Sequence, residues 1–304
     1  MRIAIIGNSR GWHTGKLVAA LSGMGVETVC VPAQQMRAII GARPRVASCG
    51  TIVPVPLDEC DAVVVRSIPG GSLEQIIFRV DLLHRLEDAG VKVINTPGCI
   101  EKTVDKFYTS FLFEDHGIPT PRTVVTENFD EAMAAVRLMG DVIAKPLFGS
   151  LGVGMVRLTD EDTAHRVFSA WRTCQYVYYL QEFIPHDNWD IRALVVGDRV
   201  VAAMRRMADG WKTNINCGAT AASMKLSAKV EQLCLRIAAI VNAAYLGIDL
   251  LADAKGGFYA IEANSAPGWK GLQEVTDVDI ATEIADYVVG CVKGRVTAAS
   301  LEQG

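Results

Sequence analysis

The sequence predicts an α/β N-terminal part followed by an α+β remainder, and three observations carry that expectation. The first third alternates strand-like runs (RIAIIG, ETVCVP, DAVVVRS, VKVIN) with stretches of helical periodicity, the pattern of a parallel sheet with helices on its faces. A Pro-containing segment, HGIPTPRT at residues 116–123, then interrupts the alternation and marks a boundary. Beyond it strands arrive in pairs, as in RALVVGDRVVAAMRR with its turn at Gly197-Asp198, which argues antiparallel hairpins.

Taken in order, RIAIIG reads as a buried strand leading through a Gly-rich turn into a helix over Thr14–Met24. The turn is not a P-loop. That motif needs four residues before Gly-Lys and a hydroxyl after it, whereas three residues separate Gly11 from Gly15-Lys16, and Leu17 follows. Nor is Gly7-Asn8-Ser9-Arg10-Gly11 a dinucleotide-binding G-x-G-x-x-G. It does suit a helix N-terminus that can receive an anion. Helices follow over Leu73–Asp88, with Ser72 and Gln75 as a capping box, and over Thr103–His116. After the boundary, TVVT, DVIAKP, MVRLT and YLQEFI are strands, with helices over Phe129–Met139 and Asp162–Cys174. A long helix over Ala228–Tyr245, the strands GIDLLAD and GFYAIEAN, and a last helix over Ile280–Val292 complete the chain, with VTAASLEQG as a frayed tail.

Composition narrows the function classes. A chain of 304 residues, 50% hydrophobic and 21% charged, has room for two or three globular domains. No apolar run reaches the ~18 residues of a membrane span, and MRIAIIG is too short for a signal-peptide core. The eight cysteines include no C-x-x-C pair, which argues against zinc or a disulfide framework and for a cytoplasmic protein. A net charge of -4 speaks against nucleic acid as a partner.

Two constellations carry chemistry. In KPLFGSLGVGMV a strand delivers Lys145, and Gly149, Ser150, Gly152 and Gly154 form a loop whose backbone N–H groups can wrap phosphates. Alone, such a loop is more often a structural hairpin. Downstream, Asp249, Glu262 and Asn264 offer two carboxylates and an amide oxygen on neighbouring strands, a hard-oxygen set suited to magnesium. Glu262 and Asn264 are two apart and share a strand face. Asp249 reads equally as a solvated strand end, but a carboxylate inside FYAIEAN needs a partner.

Lys106 in NTPGCIEKTVDKFYT, Lys145 with its loop, QEFI, DIR, GIDLL and IEANSAPG occur in one order. Together they resemble an ATP-grasp ligase, most closely the RimK-type branch of amino-acid ligases. The resemblance implies a Rossmann-like substrate domain over 1–97, a central lobe with a Gly-rich lid over 98–184 and a catalytic lobe over 185–304. By it, Lys106 and Lys145 contact the nucleotide phosphates under the lid. Backbone groups of Gln181, Phe183 and Ile184 read adenine, and Glu182 takes the ribose. Asp190 lies near nucleotide or metal and Arg192 near the reacting centre, although a structural Asp190–Arg192 ion pair is an equal alternative. Of Arg205 and Arg206, which point to opposite faces, Arg206 is assigned to the cleft. Trp211-Lys212-Thr213-Asn214 stands where relatives carry aromatic–Arg–Ser–Asn; lysine keeps the charge but loses the fork, and Asn214 becomes a nucleotide or metal-site ligand.

The implied reaction makes an acyl phosphate from ATP and an acid, which the amine of an amino acid then converts to an amide. Two Mg2+ ions, with Mn2+ as a substitute, accompany ATP, bound by Asp249, Glu262 and Asn264. The implied partners are a small-molecule acid and an amino acid, with self-association as a dimer or tetramer. Trp12, His13, Arg66 and Trp269 are assigned to the acceptor by stacking and carboxylate contact. The opening GNSRGWHTGKL is similar to ligases of tetrahydromethanopterin-type C1 cofactors, so glutamate addition to such a cofactor is the leading expectation. A protein or carrier-peptide acceptor, and a non-catalytic ATP-binding regulator, are the alternatives.

Overall fold

The computed structural model describes residues 1–50, 54–149 and 152–295, so Ser150 lies outside the described residues. The N-terminal part runs β1 (Arg2–Ile6), α1 (Trp12–Gly23), β2 (Glu27–Val31), a hairpin of β3 (Met36–Ala38) and β4 (Val46–Ser48), β5 (Ala62–Val65), α2 (Leu73–Asp88) and β6 (Lys92–Ile94). Strands β2-β1-β5-β6 form one parallel sheet. Near-continuous apolar runs such as AVVV, buried throughout, suit strands covered on both faces. The Ser72–Gln75 capping box forms. The β3–β4 hairpin was not expected, because three-residue strands carry too little alternation to register.

Two helices follow, α3 (Pro97–Val104) and α4 (Lys106–Asp115), where one was expected over Thr103–His116. Asp105 breaks the run. It holds extended dihedrals, and its side chain accepts from the Phe107 and Tyr108 N–H groups, which makes it an N-cap. Lys106 therefore opens a helix instead of lying along one. Cys99, Phe113 and Ile118 from this stretch share a core with Ile191, Val230 and Ile248 of the C-terminal part.

The central sheet has the order β7-β10-β8-β9. It comprises β7 (Thr123–Thr126), β8 (Val142–Lys145), β9 (Val156–Leu158) and β10 (Tyr178–Glu182). Helices α5 (Phe129–Met139) and α6 (Glu161–Thr173) pack on it around Phe168 and Tyr178. The C-terminal sheet, β13-β12-β11-β14-β15, consists of β11 (Trp189–Val196), β12 (Arg199–Met207), β13 (Thr220–Ser223), β14 (Tyr245–Ala252) and β15 (Phe258–Asn264). Helix α7 (Ala228–Val241) precedes β14, and α8 (Lys270–Gln273) and α9 (Ile280–Val292) close the fold. Helix α7 ends short of its expected limit because Asn242 turns left-handed at φ 55°, ψ 50°, a common helix stop. Tyr245 instead begins β14.

Alternation along β11 divides its side chains between two cores. Ile191, Ala193 and Val195 face α7, while Leu194 and Val196 join Ile5, Leu17 and Ile284 on the other side. Helix α9 thereby ties the parallel sheet to the C-terminal one. Asn95, fully buried, fastens the same junction: its Nδ2 donates to the Tyr245 and Ser265 carbonyls at 2.8 and 2.6 Å, and its Oδ1 accepts from the Ala244 N–H at 2.6 Å. The C-terminal ends of β1 and β5 consequently lie toward the C-terminal sheet, the edge at which open α/β sheets bind ligands.

Candidate active site

Beyond Leu194 and Met204 the same face of the C-terminal sheet turns polar, and ladder register decides which charges meet. Asp190 lies opposite Arg206, Arg192 opposite Asp249, and Asp249 opposite Glu262. Arg206 donates from Nε and Nη2 to both oxygens of Asp190 at 2.7 and 2.5 Å, and Nη2 lies 3.1 Å from Asp249 Oδ2. Arg192 Nη1 donates to Asp249 Oδ1 at 2.7 Å, and the Thr213 hydroxyl to Asp190 Oδ2 at 2.7 Å. The alternative of an Asp190–Arg192 pair is not realised: directly opposed side chains sit ~5 Å apart and neighbours along one strand ~7 Å. Burial works against the Asp249 carboxylate, but Arg192 and Arg206 outweigh it and hold its pKa below the usual range. Asp249, expected to bind metal, is here committed to two arginines. Arg205, on the opposite face, stacks over Trp189 at 4.2 Å.

The register of β14 on β15 shifts after Asp249, so Asp249 pairs with Glu262 but Leu250 with Ala260. Ala260 and Ala263 both enter the core behind the sheet, and Ile261 and Glu262 both line the cleft. Such a bulge re-aims a side chain. The Glu262 carboxylate has no hydrogen bond or ion pair among the described residues. Two carboxylates in register, one of them free, with the Asn264 amide on the next same-face position, fit a hard divalent cation.

Across the cleft stand the lysines. Lys145, 5% exposed at the end of β8, donates to Gln181 Oε1 at 2.6 Å. Burial lowers its pKa to about 8, with the charges of Glu262 and Asp249 opposing and Lys106 adding to the shift. Lys106 donates to the carbonyls of Gly149 and Leu147 at 2.8 and 3.4 Å, and burial lowers its pKa too. Lys212 donates to the Met155 carbonyl at 2.9 Å. These two half-buried, cleft-lining lysines thus hold the two ends of the Gly-rich loop. Gly152 in that loop has φ +72°, and a Cβ there would lie 2.6 Å from Asn214 Oδ1, so only glycine permits this approach. Gly149 and Gly154 also take positive φ.

The cleft lies between the central and C-terminal sheets, a concave place of the kind small-molecule sites take. Its apolar wall is Ile143, Met155, Phe183, Ile184, Leu251 and Ile261, a slot suited to a flat base. The Gln181 side chain is the partner of Lys145. The Glu182 and Phe183 N–H groups are spent on the Arg122 and Asp141 carbonyls at 2.8 and 2.9 Å, whereas the Ile184 N–H, before Pro185, has no partner among the described residues. Thr213 and His186, not singled out in the sequence, also line the cleft. Thr213 stood beside recognised residues; nothing local marked His186.

The four acceptor candidates lie together, away from that cleft. Trp12 meets His13 at 5.0 Å, and His13 meets Trp269 at 4.6 Å, both edge-on. The Arg66 guanidinium covers Trp269 at 4.4 Å. Trp269 is 1% exposed and offers a substrate no ring surface; it braces Arg66 and His13 instead. Burial, with Arg66 and Lys270, lowers the His13 pKa to about 4.

A model of the RimK-like ATP-grasp domain matches residues 103–288. The tetrahydromethanopterin:α-L-glutamate ligase of Methanococcus maripaludis is 33% identical over 298 residues, 96% of this chain and 99% of that one. The ligase of the same name from Methanocaldococcus jannaschii is 34% identical over 244 residues, 78% of this chain and 82% of that one. Among solved structures, the ATP-grasp ligase PsnB complexed with minimal precursor, Mg and ADP superposes with a TM-score of 0.72 at 22% identity, covering 96% of this chain and 98% of that one. A match over more than half of the chain, joined by a relative similar from end to end, makes this protein a member of the RimK-like ATP-grasp family, an ATP-dependent carboxylate–amine ligase.

Proposed function

We propose that the protein joins L-glutamate, through its amine, to a carboxylate of tetrahydromethanopterin or a closely similar C1 carrier. The observation that carries this reading is the end-to-end similarity to one ligase so named, which includes the N-terminal part where an acceptor would be held. In this reading the Ile184 N–H and the apolar slot receive adenine, and Lys106, Lys145 and Lys212 exchange carbonyl or amide partners for phosphate oxygens. Magnesium bound by Asp249, Glu262 and Asn264, as one ion or two and with Mn2+ as a substitute, would neutralise phosphate charge. Arg192 and Arg206 set the orientation of Asp249. The acceptor carboxylate attacks the γ-phosphorus and ADP leaves; the glutamate amine then attacks the acyl carbon, phosphate leaves, and the amine loses a proton. Preorganised cations supply most of the rate enhancement in such transfers.

The test is ADP release by purified protein with ATP, Mg2+, L-glutamate and tetrahydromethanopterin, beside Glu262→Ala. Acceptor-dependent ADP with a product heavier by one glutamyl group, lost in the variant, is the expected result. Turnover with a peptide acceptor and none with tetrahydromethanopterin would overturn the substrate assignment.

A further inference from the structure

The turn between β1 and α1 gathers a second set of polar groups, none of which lines the nucleotide cleft. Helix α1 begins at Trp12 with Gly11 as N-cap and no side-chain cap, and no acidic residue lies in its first turn. The N–H groups of Trp12, His13 and Thr14 consequently have no partner among the described residues. A free helix N-terminus is not a site by itself, but three further observations converge on it.

Thr14 is 3% exposed, and its hydroxyl, the part that reaches the surface, has no hydrogen-bond partner among the described residues. It points into the turn, 3.5 Å from where a Cβ on Gly7 or on Gly11 would stand. The absence of side chains at those two positions keeps the hollow open, and Ser67 Oγ closes its far side, 3.7 Å from the same point at Gly7.

Arg66 is 8% exposed and has only neutral partners: the Pro267 carbonyl at 2.7 Å, the Tyr245 hydroxyl at 3.2 Å, and none for its Nε. No carboxylate lies within ion-pair distance of it among the described residues. A buried cation without a counter-ion is costly unless a ligand supplies one. Arg66 leans on the same hollow, with its Cβ 3.1 Å from the Gly7 position.

His13 completes the set. Its Nε2 accepts from the Trp269 N–H at 3.0 Å, which leaves the neutral ring's proton on Nδ1 as one more free donor. The free N–H groups and the two hydroxyls of this turn can all donate, and both charges that act on His13, those of Arg66 and Lys270, are positive.

We propose that the α1 N-terminus, Thr14, Ser67 and His13, in the field of Arg66, form an oxyanion subsite for an acidic group of the acceptor other than the carboxylate that reacts. The ligand is a carboxylate or a phosphate ester, chemistries that share the need for converging donors. The half-buried Trp12 ring at the rim suits an acceptor with a planar ring system and has no counterpart in an amino acid. The existence of the subsite stands independently of the ligase reading; only the identity of its ligand rests on it.

Sulfate is the probe, titrated into the ADP-loaded protein so that the nucleotide cleft is filled, while the amide signals of Trp12, His13 and Thr14 are followed by NMR. Saturable shifts at these three amides are expected. Thr14→Val, nearly isosteric, should weaken them about tenfold, and Arg66→Gln at least as much. Absence of saturable shifts there, or shifts unchanged in both variants, would overturn the subsite. In turnover with tetrahydromethanopterin, sulfate should raise the apparent KM for that acceptor and leave the KM for glutamate unchanged; competition with glutamate alone overturns the assignment to the acceptor. Sulfate binding without any turnover would fault the substrate reading and leave the subsite standing.

Discussion

Arg206 and Asp190 face each other across β11 and β12 and exchange two parallel hydrogen bonds, at 2.7 and 2.5 Å, with both side chains almost wholly buried. The guanidinium also reaches Asp249, so one cation holds two carboxylates. Removing it strands both. Arg206→Met should destabilise the fold by about 3–5 kcal/mol, the usual cost of breaking a buried ion pair from one side. Urea unfolding measures this, and a loss below about 1 kcal/mol would mean that the pair is not structural.

Glu262 presents the opposite case, because no hydrogen bond or ion pair among the described residues holds its carboxylate, and its charge acts on the lysines across the cleft. Glu262→Gln should leave the melting temperature within a degree or two and lower turnover by about a hundredfold or more. A stability loss as large as that of the Arg206 variant would show that the residue is structural.

Lys145 predicts a pH limit. Burial brings its pKa from 10.5 to about 8, so its charge is present below that pH and lost above it. With Lys145 needed as a cation, kcat/KM for ATP should be level below about pH 8 and fall tenfold per unit above it. Lys145→Arg, which keeps its charge, should lose that limb whatever its absolute rate. An unchanged limb in the variant would assign the titration to another group.

Gly152→Ala forces a side chain into both a left-handed backbone and the Asn214 amide. Strain of about 1–3 kcal/mol confined to the loop should appear as a KM for ATP raised roughly tenfold, with little change in the urea midpoint. An unaltered KM would show that loop and Asn214 separate when nucleotide binds.

His13 is held neutral chiefly by burial, with Arg66 and Lys270 contributing. Its native pKa of about 4 lies below 6.5, so acid protonates the unfolded chain first, and stability should fall as pH drops through that window. The ring is partly open to solvent, which softens the effect. Ring NMR should give the low pKa, and Lys270→Ala should raise it; a pKa near 6.5 would contradict the buried placement.

Much of this protein was legible in the sequence because local rules and tertiary demands agree in it. The apolar runs of β1 and β5, the Ser72 capping box, the Gly197-Asp198 hairpin turn and the ordered motifs of Lys106, Lys145, Asp249 and Glu262 each announce themselves within a few residues. Tertiary structure alone decided the pairings. Asp190 and Arg192 share a face in either description, but only strand register sends one to Arg206 and the other to Asp249. Trp269 reads as an exposed aromatic until α8 and the parallel sheet bury it. The Gln181 side chain becomes the anchor of Lys145 only once β8 and β10 lie side by side. Periodicity fixes which face a residue occupies within one element, whereas its partner depends on contacts between segments far apart in the chain. Those contacts leave no trace at any single position.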